Sequence, residues 1–141
     1  MPTRKQTCKT CAEEGLPLTR PAPFPGPRCA THHRARRKAA SAARHIDYVT
    51  KTYGVDYDAL LASQGGVCAL CGKPPVRKRL SVDHDHRCCP GSTSCGKCVR
   101  GLVHAWENTI LGRIRDSIQW LSKAIEYLTN PPAQAGSKDP S

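Results

Sequence analysis

A small α+β fold, stabilised by bound zinc rather than by a large apolar interior, is what this 141-residue sequence predicts. Three observations carry that reading. Nine cysteines fall mostly in C-x2-C pairs or beside histidines, which is metal-ligand spacing and not a disulfide framework. Two short runs of strand character flank a loop rich in Cys, Gly and Ser, with helical periodicity before and after them. Only 38% of the residues are apolar and 5% aromatic, thin material for a core that must hold a chain of this size unaided.

The first element is a zinc knuckle. Cys8-Lys9-Thr10-Cys11 is followed by Pro17, Pro21, Pro23, Pro25 and Pro27, which forbid a helix there, and then by Cys29-Ala30-Thr31-His32-His33. C-x2-C with C-x2-H designates Cys8, Cys11, Cys29 and His32, and His32 is preferred over His33 because it repeats the two-residue spacing.

From Arg34 the prolines stop, and Ala42, Ile46, Val49 and Tyr53 recur as the stripe of one amphipathic helix that Gly54 ends. Arg34, Arg36, Arg37, Lys38 and Arg44 lie mostly off that stripe and form a basic face. Asp56 is placed to cap a short helix carrying Tyr57, Leu60, Leu61 and Gln64, closed by Gly65-Gly66.

A second knuckle, Cys68-Ala69-Leu70-Cys71, precedes Leu80–His84, which alternates like a strand. Val99–Val103 is its expected antiparallel partner across the loop 87–98. After His104, the residues Ile110, Ile114, Ile118, Leu121, Ile125 and Leu128 read as one long helix whose stripe is core or a dimer face. Asn130-Pro131-Pro132 stops it.

Net charge is +11, and residues 1–53 hold 11 basic against 3 acidic side chains, so the N-terminal third carries most of the attraction for phosphate. No run approaches the roughly 18 apolar residues of a membrane helix, and the N-terminus lacks a secretory apolar region. A reducing cytoplasm, with free thiolates and no membrane, is the expected setting.

Strand, loop, strand and helix, with Asp83-His84 closing the first strand and Asn108 opening the helix, is the layout of a ββα-metal site. The elements "YGVDYDALLASQGGVCALCGKPP", "LSVDHDH" and "VRGLV" followed by Asn108 resemble the phage recombination endonuclease VII family within the HNH nucleases. The resemblance covers about residues 53–128. It implies Asp83 and Asn108 as oxygen ligands of a catalytic Mg²⁺ or Mn²⁺ and His84 as general base. Those residue types suit the tasks, since hard cations take oxygen donors and imidazole accepts a proton near neutral pH. Asp85 and His86 are expected to support the loop or orient His84, and Asn108 alone could equally be a helix cap. Adjacent strand residues face opposite ways, so Asp83 and His84 share a site only if the strand bends or ends there.

The zinc ligands of the core stay open between two schemes. Spacing pairs Cys68 and Cys71 with Cys95 and Cys98. The family's register pairs them instead with His104 and Glu107, where relatives carry cysteines, and leaves Cys88 or Cys89 with Cys95 and Cys98, helped by His86, to hold a separate loop zinc. We take the second scheme, giving two or three structural zinc ions.

The expected organisation is a zinc module at 1–33, a basic and a short helix at 34–66, a nuclease core with its C-terminal helix at 67–130, and a disordered tail at 131–141. The expected function is an HNH endonuclease that cleaves DNA phosphodiester bonds, phage-encoded, acting in the bacterial host. Arg77, Lys78, Arg79 and Arg100 join the basic helix in holding the DNA backbone. Expected partners are DNA, a second copy through the C-terminal helix, and phage packaging or recombination machinery. The competing readings are a non-enzymatic zinc-finger DNA-binding protein and a sequence-specific restriction or homing nuclease.

Overall fold

The structure, a computed structural model, describes residues 6–134. The expected tail from residue 135 onward lies outside the described residues, and Pro132–Gln134 within its first part form a 3-10 turn. The chain divides into two compact units between Lys51 and Thr52, inside a helix.

The N-terminal unit has almost no hydrocarbon interior. Its buried cluster is Cys8, Cys11, Ala22 and Cys29, so the sulfur donors themselves are the core. A short helix α1 (Lys9–Glu13) carries Cys11. The proline run then turns back, with Phe24 and Arg28 paired in an isolated bridge and the Lys9 N–H donating to the Pro27 carbonyl at 2.9 Å. That turn returns Cys29 to Cys8 and Cys11.

Helix α2 runs Ala30–Tyr53, beginning four residues before the expected Arg34. The last knuckle ligand therefore sits in the helix's first turn, where the C-x2-H spacing is one turn of α-helix. Along it Val49 is buried and Ala42, Ile46 and Tyr53 are partly covered.

In the second unit, α3 (Tyr57–Ser63) is capped by Asp56, whose Oδ1 accepts from the Asp58 and Ala59 N–H groups at 2.9 and 3.0 Å. Strands β1 (Ser81–His84) and β2 (Val99–Val103) pair antiparallel, with Val82 opposite Leu102 and Asp83 opposite Gly101. Two strands alone are marginal in water. The Gln64 side chain supplies a substitute for a third: its Oε1 accepts from Leu102 N–H at 2.7 Å, and its Nε2 donates to the Leu102 and Val67 carbonyls. Glycine at 101 suits this close approach, since a Cβ there would lie 3.1 Å from Gln64 Oε1 and 3.2 Å from Ala69 Cβ, and those side chains would have to give by a few tenths of an ångström. Leu80, Val82, Leu102, Val103 and Tyr57 form the small core, and the Tyr57 hydroxyl donates to the Leu80 carbonyl.

Two expectations about the C-terminal part are corrected. The single long helix is two, α4 (Ala105–Arg113) and α5 (Ile118–Thr129). Arg115 and Asp116 adopt left-handed backbone between them (φ 52° and 53°), and the Ser117 hydroxyl caps α5 by accepting from Trp120 N–H. An unbroken apolar period hid the break because the stripe resumes in phase. Asn108 does not open α4 either. The cap position belongs to His104, with Glu107 Oε2 accepting from the His104 N–H at 3.0 Å, and Asn108 lies at the end of the first turn.

Candidate metal and nuclease site

Among the described residues three groups of donor side chains gather, each with its ligand atoms within 4.8 Å of one another: Cys8, Cys11, Cys29 and His32; Cys88, Cys89, Cys95 and Cys98; Cys68, Cys71, His104 and Glu107. Bonds of about 2.3 Å to sulfur and about 2.0–2.1 Å to nitrogen or oxygen set tetrahedral donors about 3.3–3.8 Å apart. In the first group His32 Nδ1 lies 3.3, 3.3 and 3.5 Å from the sulfurs of Cys8, Cys11 and Cys29, and Cys11 lies 3.9 Å from Cys29. His33 turns away and stacks on Phe24 at 4.3 Å. In the loop group Cys95 is 3.9 Å from both Cys88 and Cys98. In the third, His104 Nδ1 is 3.5 Å from the Cys71 sulfur and 3.3 Å from Glu107 Oε2, while the Cys68 thiol donates to the same carboxylate at 2.7 Å. Donor types suit zinc in all three, and the spacings are close to tetrahedral except between Cys68 and Glu107, which are hydrogen-bonded at 2.7 Å and would move apart around an ion.

Their electrostatics agree. Burial and the sulfurs of Cys8 and Cys29 push the Cys11 thiol up to about 11, and Cys95, Cys98 and Cys89 push Cys88 to about 12. Crowded thiols resist ionising together unless a cation sits among them. Cys8 goes the other way, to about 6: burial opposes its thiolate, but the backbone N–H groups of Cys29 and Cys11 and the His32 imidazole outweigh it. Burial likewise opposes charge on Glu107, yet hydrogen bonds from Cys68, Cys71 and His104 bring it down to about 2.

Asp83 and His84 sit side by side where the register of β1 shifts, a bulge that relaxes the strict alternation of faces. Both are 4% exposed. Asp83 borders a cavity of about 210 Å³ lined also by Arg100, Gly101 and Leu111. His84 Nε2 is 3.2 Å from the Cys89 carbonyl oxygen. A carbonyl only accepts, so Nε2 carries the proton and Nδ1 is the basic nitrogen. The His84 ring also lies 4.5 Å from that of His86 and 5.8 Å from that of Tyr53. Asn108 reaches β1 from α4, its Nδ2 lying 3.5 Å from the Val82 carbonyl.

The loop after His84 is organised by Asp85. Its N–H donates to the Cys98 carbonyl, its own carbonyl accepts from Cys88 and Cys89 N–H, and its carboxylate accepts from the Arg87 backbone and side chain. Those Arg87 bonds, backbone first, hold the Asp85 carboxyl below its usual range.

Arg100 faces inward. Its Nε and Nη2 grip Asp83 Oδ2 and Oδ1 at 2.7 and 2.9 Å, and Nη2 also donates to Asp116 Oδ1 at 3.0 Å. Its hydrogen bonds to these carboxylates, Asp83 first, raise its pKa further. Asp116, which sequence reasoning missed, also stands 3.8 Å from His86. Its signal was the Asp116-Ser117 pair, a turn and cap signature inside the apolar period. The remaining basic candidates, Arg34, Arg36, Arg37, Lys38 and Arg44 on α2 and Arg77, Lys78 and Arg79 on the loop before β1, are exposed.

A bulged hairpin bearing Asp-His, closed by a helix and accompanied by three cysteine-rich donor clusters, defines a small α+β protein whose donor groups suit metal binding. The recombination endonuclease VII family matches residues 43–130. The Gene 59 protein of Mycobacterium phage D29 is 45% identical over 135 residues, covering 92% of this chain and 77% of its own length. The Gene 59 protein of Mycobacterium phage L5 is 44% identical over the same shares. No solved structure matches the chain. The chain therefore belongs to the recombination endonuclease VII family, and no described helix is long and apolar enough to cross a membrane.

Proposed function

We propose that this chain is an HNH endonuclease of phage origin that hydrolyses DNA phosphodiester bonds in the bacterial host, leaving 5′-phosphate and 3′-hydroxyl ends. The observation that carries the reading is His84 at the strand bulge next in sequence to Asp83, its Nε2 proton committed to the Cys89 carbonyl and its Nδ1 left as the basic nitrogen. Nδ1 takes the proton of the attacking water, and the buried ring keeps one orientation through the step.

The oxygen donors of Asp83 and Asn108 fit a hard divalent cation. Arg100 occupies two of the roughly four lone-pair directions of the Asp83 carboxylate and leaves the others. Mg²⁺ or Mn²⁺ held by these two residues would stabilise charge on the departing 3′-oxygen. The three cysteine clusters would hold structural zinc. Exposed cations of α2 and of the loop 77–79 attract the DNA backbone without reading sequence.

The apolar residues of α5, with Ile118 74%, Ile125 66% and Leu128 76% exposed, support a homodimer through that helix. Phage packaging or recombination machinery is the setting in which such an enzyme would act.

The bidentate grip of Arg100 on Asp83 favours one competitor, a zinc-stabilised DNA-binding protein in which that carboxylate is purely structural. Plasmid nicking in Mg²⁺ separates the two. Wild type is expected to nick, and His84→Ala to bind DNA without cutting it. Equal cutting by both removes His84 as the base, and no cutting by either leaves the binding protein.

A further inference from the structure

Loop 73–79 and the start of α4 enclose a second cleft, of about 650 Å³, that the chemistry of Asp83 and His84 does not use. Its wall includes Cys71 and His104, so it shares two residues with the third donor cluster. Within it Trp106 is 62% and Val76 86% exposed, large apolar surfaces that a folded chain normally covers. Lys73, Arg77, Lys78 and Arg79 line the same cleft, and none of the described residues lining it is acidic.

An exposed indole sharing one cleft with four cations calls for an occupant that is flat, apolar on its face and polyanionic along its edge. An apolar peptide satisfies only the indole, and duplex DNA only the cations, because bases in a duplex have their faces covered by neighbours. A nucleobase outside the stack satisfies both, its ring on Trp106 and its flanking phosphates on the lysine and arginines. The cleft volume lies within the range of about 300–1,000 Å³ usual for small-molecule sites.

We propose that this cleft binds one unpaired nucleobase stacked on Trp106, giving the protein a preference for DNA in which a base has left the helix. The inference rests on the reading of DNA as the substrate. Extruding a paired base costs energy that an already unpaired base does not, so the site selects nicked ends, bulges and single strands over intact duplex.

The test uses the full chain with Trp120→Phe, leaving Trp106 the sole fluorescent indole. Three DNA probes are titrated without added magnesium: a plain duplex, the same duplex with one unpaired thymidine, and a single strand. The bulged duplex and the single strand are expected to quench Trp106 and to bind more tightly than the plain duplex. Trp106→Ala should weaken those two by about 5- to 150-fold while leaving plain duplex unchanged, and Trp106→Phe should keep most of the preference. Equal quenching by all three probes, or an alanine variant that weakens all three alike, overturns the proposal. The titration of intact Trp106 decides the matter even if the alanine variant loses its zinc. Quenching without any cleavage in Mg²⁺ would remove the nuclease reading and keep the base site. Cleavage without selective quenching would do the reverse.

Discussion

His84 donates its Nε2 proton to the backbone carbonyl of Cys89, 3.2 Å away, in a loop whose four cysteines lie within ligand distance of one another. The proposed base is thus oriented by backbone that a sulfur-bound metal would hold. Cys95→Ser is expected to lower bound zinc from three ions per chain to two, counted as one per donor group. Loss of an outer-shell partner typically costs about 10- to 100-fold, and a cleavage loss of that size with unchanged DNA affinity is expected here. Elemental analysis and single-turnover cleavage on one preparation check both halves.

Arg100 is the cation beside two carboxylates rather than a free surface charge. Arg100→Ala strands Asp83 in a buried position and should cost about 2–4 kcal/mol, toward the lower end for a buried pair because the arginine is partly exposed. Arg100→Lys should recover only part of this, since an ammonium cannot make the two-nitrogen fork. Denaturant midpoints with unchanged slope would report it.

Acid should act through Glu107 in the metal-free protein. Hydrogen bonds hold its folded carboxyl near 2 against an ordinary 4.5. A lowered folded value means the contribution is complete above about pH 4.5 and is lost as pH falls toward 2. Glu107→Gln should flatten the stability curve in that window and leave it parallel to wild type above it. An unchanged acid slope in the variant would show that another group titrates there.

Gln64 bonds both backbone groups of Leu102 across 38 residues of sequence. Gln64→Leu keeps most of the volume but leaves the Leu102 N–H without its partner, while the Leu102 carbonyl keeps its bond from Ala69. An expected loss of about 1–3 kcal/mol should appear in thermal unfolding and as faster amide exchange at Leu102.

The local parts of this fold were legible because local chemistry dictates them. Asp56 caps α3, the strands at 81–84 and 99–103 fall where the sequence placed them although three successive residues in each are buried rather than alternating, and the first knuckle groups the donors its spacing names. Choosing between Cys95 and His104 as companions of Cys71 needed the family's register, because spacing alone favoured the cysteines. What the sequence hid depends on distant partners. Asp116 sits at a left-handed turn whose purpose appears only once Arg100 is opposite it, and Asn108 resembles a cap until Glu107 is seen bonding His104.

The N-terminal unit, whose buried cluster is three sulfurs and one alanine, has an evolutionary corollary. A protein anchored at donor atoms rather than by hydrocarbon volume tolerates drift in what lies between anchors. It does not tolerate a change in how many residues separate the two members of a pair. Single-residue insertions between Cys8 and Cys11, or between Cys29 and His32, should be purged by selection more severely than most substitutions elsewhere in residues 6–51.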